Sequence, residues 1–149
     1  MLNDLETRLK SLWEKGDPPD TVSYYDDKTQ QVVSISYARM VGCLAKEMGH
    51  ATLNMLHASV GVSGESGELL DAVKKVWVYN KDMDLDNIIE ELGDLEFYMQ
   101  YLRLELGLSR QQILRANAKK LGKRYAEGKY SDKAAQDRAD KQDGETPSQ

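Results

Sequence analysis

Between residues 65 and 94 one pattern occurs twice. A pair of acids three positions apart, Glu65 with Glu68 and then Glu91 with Asp94, rides along an apolar series of helical period. On an α-helix such positions are neighbours with Cβ atoms about 5 to 6 Å apart, so each pair is a two-carboxylate claw. Turning about 100° per residue from Leu69 puts Val62, Glu65, Val73 and Val76 near the centre of the apolar stripe and Glu68 at its edge. From Ile88, the stripe through Leu92, Leu95, Met99, Leu102 and Leu106 leaves Glu91 and Asp94 together on one flank and turns Glu90 to solvent. Any fold of this chain has to place four carboxylates at the buried edges of two successive helices.

Two charges about 5 Å apart repel by roughly 3 kcal/mol at an effective dielectric of about 20, so carboxylates gathered this way need a cation among them. With oxygen donors only, and no His or Cys in the spacing, the expected occupant is a hard divalent ion, Mg2+ or Mn2+. A single E-x-x-E is ordinarily a solvated helix face. Two claws on adjacent amphipathic helices argue instead for a metal site built from Glu65, Glu68, Glu91 and Asp94.

The chain's 149 residues make one domain by size, able to bury about two-thirds of the unfolded surface. Leu and Met carry helical periodicity, Phe occurs once, Pro three times, and no alternating β-branched run flanked by turn signals stands out, so the fold reads as all-α. Residues 3–15 hold Leu5, Leu9, Leu12 and Trp13 at helical spacing and stop at Gly16-Asp17-Pro18-Pro19. With the polar stretch to about Gln31 they read as an amphipathic arm on a linker, suited to packing or subunit contact.

A first core helix is expected from about Ser34 to Met48, with Ile35, Met40, Val41 and Leu44 inward, interrupted at Gly49-His50. A second carries Leu53, Leu56, His57 and Val60 into the first claw. Its Gly61, Gly64 and Gly67, each costing about 1 kcal/mol relative to Ala in an isolated helix, imply close packing or a bend there. Asn80 to Asp84 form a turn, and Asp84 caps a third helix that Gly107 ends. Ser109 to Gln112 read as a capping box opening a fourth helix to about Tyr125, in which Ile113, Asn117, Leu121 and Arg124 share a stripe beside Lys120. Four helices with short connections imply an antiparallel bundle. Beyond Gly128 the chain is charged and small, with a short helix capped by Ser131 and a disordered end. The expected division is an arm and linker over 1–30, a helical catalytic domain over 31–128 and a polar tail over 129–149.

A net charge of −5 and pI near 5.1 argue against a protein that coats nucleic-acid polymers, which needs clustered Lys and Arg. The single cysteine, Cys43, excludes an intrachain disulfide framework, and no apolar run approaches a membrane span, so the expected location is the cytoplasm. A ferritin-like di-iron site needs Glu-x-x-His pairs, and neither His50 nor His57 follows a Glu at that spacing.

Glu65-x-x-Glu68 followed by Glu91-x-x-Asp94 resembles the E-x-x-E…E-x-x-D signature of the MazG-like, all-α nucleoside triphosphate pyrophosphohydrolases. The resemblance runs from about His57 to Tyr125, through HASVGVSGESGELLDAVKK, NIIEELGDLEFYM and NAKKLGKRY. It is nearest to the compact single-domain versions of phages and bacteria, for which the location would be the host cytoplasm. It implies hydrolysis of a (d)NTP to (d)NMP and pyrophosphate, a Mg2+ cofactor on the four acids, a homodimer or homotetramer, and a part in nucleotide-pool control. Asn117, Lys120, Arg124 and Tyr125 stand where the family's N-x-x-K-x-x-x-R-Y segment contacts nucleotide or phosphate. His57, Lys75, Trp77, Tyr79 and Tyr98 flank the claws and are candidates for the base and phosphates, although each also suits plain packing or, for the lysine, solvation. The competing reading is a catalytically silent helical dimer with a regulatory or assembly role.

Overall fold

The computed structural model describes residues 20–141, so the helix expected over residues 3–15 and the end of the polar tail lie outside the described residues. The chain divides into two compact units, one up to Glu105 and one from Leu106.

The described part of the first unit opens on strand, which corrects the all-helical expectation. β1 (Thr21–Asp26) and β2 (Gln31–Ser36) form an antiparallel hairpin where a linker and the start of a helix were expected. Val22 faces Ile35, Tyr24 faces Val33 and Tyr25 faces Val32, pairs whose branched and aromatic side chains suit a pleated surface. The Ser23 and Ser34 hydroxyls bond each other at 2.8 Å. In the turn, the Asp26 carboxylate accepts from the Lys28 N–H and the Thr29 hydroxyl, both at 2.9 Å, and these donors, Lys28 first, hold its pKa below the ordinary carboxylate value.

Helix α1 (Tyr37–Leu44) is shorter than the sequence suggests at both ends. Ile35 lies in β2, Met40 is half-buried, Val41 is fully buried, and Leu44 is 66% exposed rather than inward. Residues 45–50 leave the helix because two tertiary bonds claim them: Met48 N–H donates to Asn54 Oδ1 at 2.8 Å, and Tyr101 OH donates to the Lys46 carbonyl at 2.9 Å. Gly49, at φ +77, turns the chain there, and His50 caps the next helix by accepting from Thr52 N–H through Nδ1 at 3.2 Å.

Helix α2 (Ala51–Tyr79) ends on left-handed Asn80, and α3 (Leu85–Leu106) starts where Asp84 accepts from Asn87 N–H at 3.1 Å. Asn54 meets Glu105, Ala58 shares the core with Tyr101, Gly61 lies under Tyr98 and Glu65 reaches Asp94. Each step up α2 is thus matched by an equal step down α3, the signature of an antiparallel helix pair whose seam advances by alternating threes and fours. The core is Val41, Ala58 and Tyr101, flanked by Tyr37, Ala45, Phe97 and Leu102.

This seam corrects the expected inward face of α2. Leu53, Leu56, Val60 and Val73 are exposed, while Asn54, Ala58 and Ala72 are buried. The buried line lies about 45° round from Leu69, on the Glu65 side. The rings of Tyr98 and Tyr101 come from α3, so α2 meets them with small residues. Large residues on both sides would overfill the space. On α3, Leu92 and Leu106 are likewise exposed.

In the second unit, α4 (Arg110–Arg124) begins with the full expected capping box between Ser109 and Gln112, and α5 (Asp132–Asp137) is capped by Ser131. A 3-10 turn, Ala139–Lys141, follows. α4 buries none of its residues, so Asn117 is exposed and the stripe through Ile113 and Leu121 is no core. What anchors its last turn is Arg124, whose Nε and Nη2 donate to Asp140 Oδ1 and Oδ2 at 2.7 and 2.8 Å.

Candidate metal centre

Glu65 on α2 and Glu91 and Asp94 on α3 each place a carboxylate oxygen within 4.8 Å of the others. Glu65 and Glu91 are half-buried, whereas Asp94 and Glu68 are exposed. Desolvation, followed by the negative charges of Glu68, Glu65, Asp94 and Glu90, pushes the Glu91 carboxyl above its ordinary pKa. Three of the four claw acids therefore converge, and the charge of the fourth, Glu68, is felt at Glu91. Glu90 is exposed, as expected, and is the weakest of these influences.

Among the described residues no ion pair neutralises these acids. Arg103, almost buried, donates to Glu96 at 3.3 Å and to Gln100 at 2.9 Å, and both Lys74 and Lys75 pair with Asp71. An ion coordinated by oxygens at about 2.1 to 2.4 Å spans oxygens up to about 4.2 to 4.8 Å apart, so the trio is close to the spacing a divalent ion needs. The donor set, oxygen only and net negative, suits Mg2+ or Mn2+ and offers nothing to a softer metal.

Other sequence candidates fall at varying distances along the same two helices. The His57 ring stands edge-on to Tyr98 at 6.0 Å and to Tyr101 at 5.9 Å, and its buried Nδ1 has no hydrogen-bond partner. It also lines a cavity of about 280 Å3 with Lys46, Met48, Leu53, Leu56 and Val60. Tyr98 packs on Gly61, one turn from the claw. Trp77 is 86% exposed. Lys75 pairs with Asp71 at 3.2 Å, and Lys74, about 140° round the wheel from Leu69 and so expected only to meet solvent, shares Asp71 and lies 5.9 Å from the Tyr79 ring centre.

In the second unit Asn117 and Lys120 are exposed on α4, and Arg124 is held by Asp140, with Arg138 Nε 3.8 Å from the same carboxylate. The fork from Arg124 drives Asp140 down to about 2.

Of three residues that shape the site, two had no signal in the periodicity and one had a partial signal. Asn54 is 6% exposed and spends both ends of its amide, accepting from Met48 and donating to Glu105. Tyr101 ties α3 to the segment before α2. Gly61 permits the Tyr98 contact, for which the glycine spacing was a partial hint.

An oxygen-only acidic cluster between two antiparallel helices has the donor set of a divalent-cation site. The family model of the MazG nucleotide pyrophosphohydrolase domain matches residues 54–128, and the chain belongs to that family. Its members usually hydrolyse nucleoside triphosphates with a divalent metal ion. Comparisons with curated proteins and with solved structures returned no match.

Proposed function

We propose that the chain is a Mg2+-dependent nucleoside triphosphate pyrophosphohydrolase, converting a (d)NTP and water to (d)NMP and pyrophosphate in nucleotide-pool control. The observation that carries this reading is the convergence of Glu65, Glu91 and Asp94 within 4.8 Å, inside the segment that matches the family. A bound divalent ion supplies charge neutralisation and a more acidic water. Glu65, Glu68, Glu91 and Asp94 would hold that ion, and one of these carboxylates, not fully engaged by it, would accept the proton of the attacking water as pyrophosphate leaves.

Tyr98, one turn from the claw, and His57, edge-on to the tyrosine ring, are assigned to the nucleoside. Trp77 and Lys75 lie further along α2, with the lysine serving as a mobile charge for the phosphates. Asn117, Lys120 and Arg124 are assigned to substrate on the family pattern, so a phosphate recruiting Arg124 has to compete with Asp140. The catalytic domain is taken as 31–128 and the location as cytoplasmic. No helix among the described residues is long and apolar enough to cross a membrane.

Association is part of the proposal. Leu53, Leu56 and Val60 on one side of α2, and Leu70, Val73 and Trp77 on another, are exposed, whereas the buried hydrophobic residues among the described ones are Val41, Ala58, Ala72 and Tyr101. Such faces suit an interface, and a homodimer or homotetramer in which they meet would bury them. The same faces favour the rival reading, a silent helical dimer. Incubation with a panel of NTPs and dNTPs and Mg2+ decides. NMP and pyrophosphate are expected. Formation of NDP and phosphate, or no divalent-dependent turnover, overturns the enzymatic reading.

A further inference from the structure

Three glycines stand three apart on α2, and the structure separates their roles. A Cβ at Gly64 or Gly67 would meet nothing within 4 Å. At Gly61 it would fall well inside contact distance of Cγ, Cδ1 and Cε1 of Tyr98. Because Cγ is the root of the ring, the clash cannot be relieved by bending a flexible end aside; the ring or the helix has to move. The ring itself is flanked, with His57 edge-on at 6.0 Å and Phe97 perpendicular at 5.4 Å.

Gly61 lies one turn from Glu65 on α2, and Tyr98 lies one turn from Asp94 on α3. Residues four apart stack on one helix face, so the Gly61–Tyr98 contact is the layer of the seam next to the carboxylate trio. We propose that Gly61 and Tyr98 act as a matched spacer, a bare backbone position against a ring, that sets the α2–α3 separation at which Glu65 meets Glu91 and Asp94. Both are positioning residues, and the inference rests on the reading of the trio as a metal site. It gives Tyr98 a role in metal affinity that contact with a nucleobase does not require.

The experiment is a Mn2+ titration followed by the EPR signal of free ion, in the absence of nucleotide, on the full chain and five variants. Binding by the unsubstituted chain that Glu65→Gln abolishes checks the metal reading. Gly61→Ala is expected to weaken Mn2+ binding about tenfold, and Gly64→Ala to leave it unchanged. Tyr98→Leu opens a gap and should also weaken binding. Gly61→Ala combined with Tyr98→Leu refills that gap, so the double variant should bind more tightly than either single, a coupling that independent damage to the fold would not produce. If Gly61→Ala does not fold, the comparison of Tyr98→Leu with the double variant carries the same coupling.

Equal affinity in the unsubstituted chain and Gly61→Ala, or a double variant no better than Tyr98→Leu, overturns the spacer while leaving the metal site standing. No Mn2+ binding by the unsubstituted chain overturns both.

Discussion

Asn54 and Glu105 stand 51 positions apart and are joined by a hydrogen bond of 3.2 Å, the amide Nδ2 donating to Oε1. With Asn54 Oδ1 accepting from Met48 N–H, one buried amide fixes the far end of the α2–α3 seam and the segment that leads into it. A shift of one residue in this register would carry Glu65 off the face that meets Asp94. The amide's removal leaves Met48 N–H without its acceptor, at a cost of about 1 to 3 kcal/mol. Asn54→Leu is therefore expected to lower the melting temperature and weaken divalent binding together, measured by calorimetry with and without Mg2+.

Neutralising either claw should abolish turnover without unfolding the chain. Glu68→Gln and Asp94→Asn are each expected to reduce kcat/KM by about a hundredfold or more, corresponding to ~2.7 kcal/mol of lost transition-state stabilisation. Both side chains are exposed, so circular dichroism should keep its helical signal. Turnover at the unmodified rate in the double variant would remove these acids from the site.

The raised pKa of Glu91 makes the metal-free protein pH-sensitive. Burial and the neighbouring acids favour its protonated form in the folded state. The stability this lends is fully present below the ordinary value of 4.5 and is lost as pH rises through the folded value. In EDTA the melting temperature should fall as pH climbs above the ordinary value of 4.5, Mg2+ should restore it, and Glu91→Gln should flatten the dependence. A chelated protein whose stability is indifferent to pH in this range would contradict the charge picture.

Asp140 has the opposite sign. Its pKa, held at about 2 by the Arg124 guanidinium first, lies below the ordinary 3.8, so its contribution is present above 3.8 and lost as pH falls toward 2. Hydrogen exchange in the last turn of α4 should accelerate over that range, and Asp140→Asn should already show the acid behaviour at neutral pH. If Arg124 also serves phosphate, Asp140→Asn lowers KM while loosening this turn.

Lys74 and Lys75 share Asp71 but differ in reach: Lys74 is drawn over Tyr79, and Lys75 stands on the claw's side of the wheel. Lys75→Ala is expected to cut kcat/KM about tenfold, or ~1.4 kcal/mol, and Lys74→Ala to change it little. Equal losses would mean that both lysines merely balance Asp71.

What the residues determine by themselves is local and periodic. Acid pairs at helical spacing, Asn80 to Asp84 as the connection between helices, Asp84, Ser109 and Ser131 as caps, and Gly49 and Gly107 as breaks all act within a turn or two, and all appear where the pattern puts them. The hairpin was legible only as scattered Val, Ile and Tyr. β1 is exposed along its middle and shows no alternation, and in β2 the alternation of half-buried Val33 and Ile35 with exposed Ser34 and Ser36 spans only four residues, too short a run to stand out.

Tertiary structure alone decided the rest. The buried face of α2 follows Asn54, Ala58 and Gly61 rather than the leucines, because the rings that fill the seam come from α3, and a helical wheel holds no information about its partner. For the same reason no local pattern could show that Arg124 would be claimed by Asp140, 16 residues on, or that Glu65 would meet acids from the other helix: those distances exist only once the chain has folded back on itself.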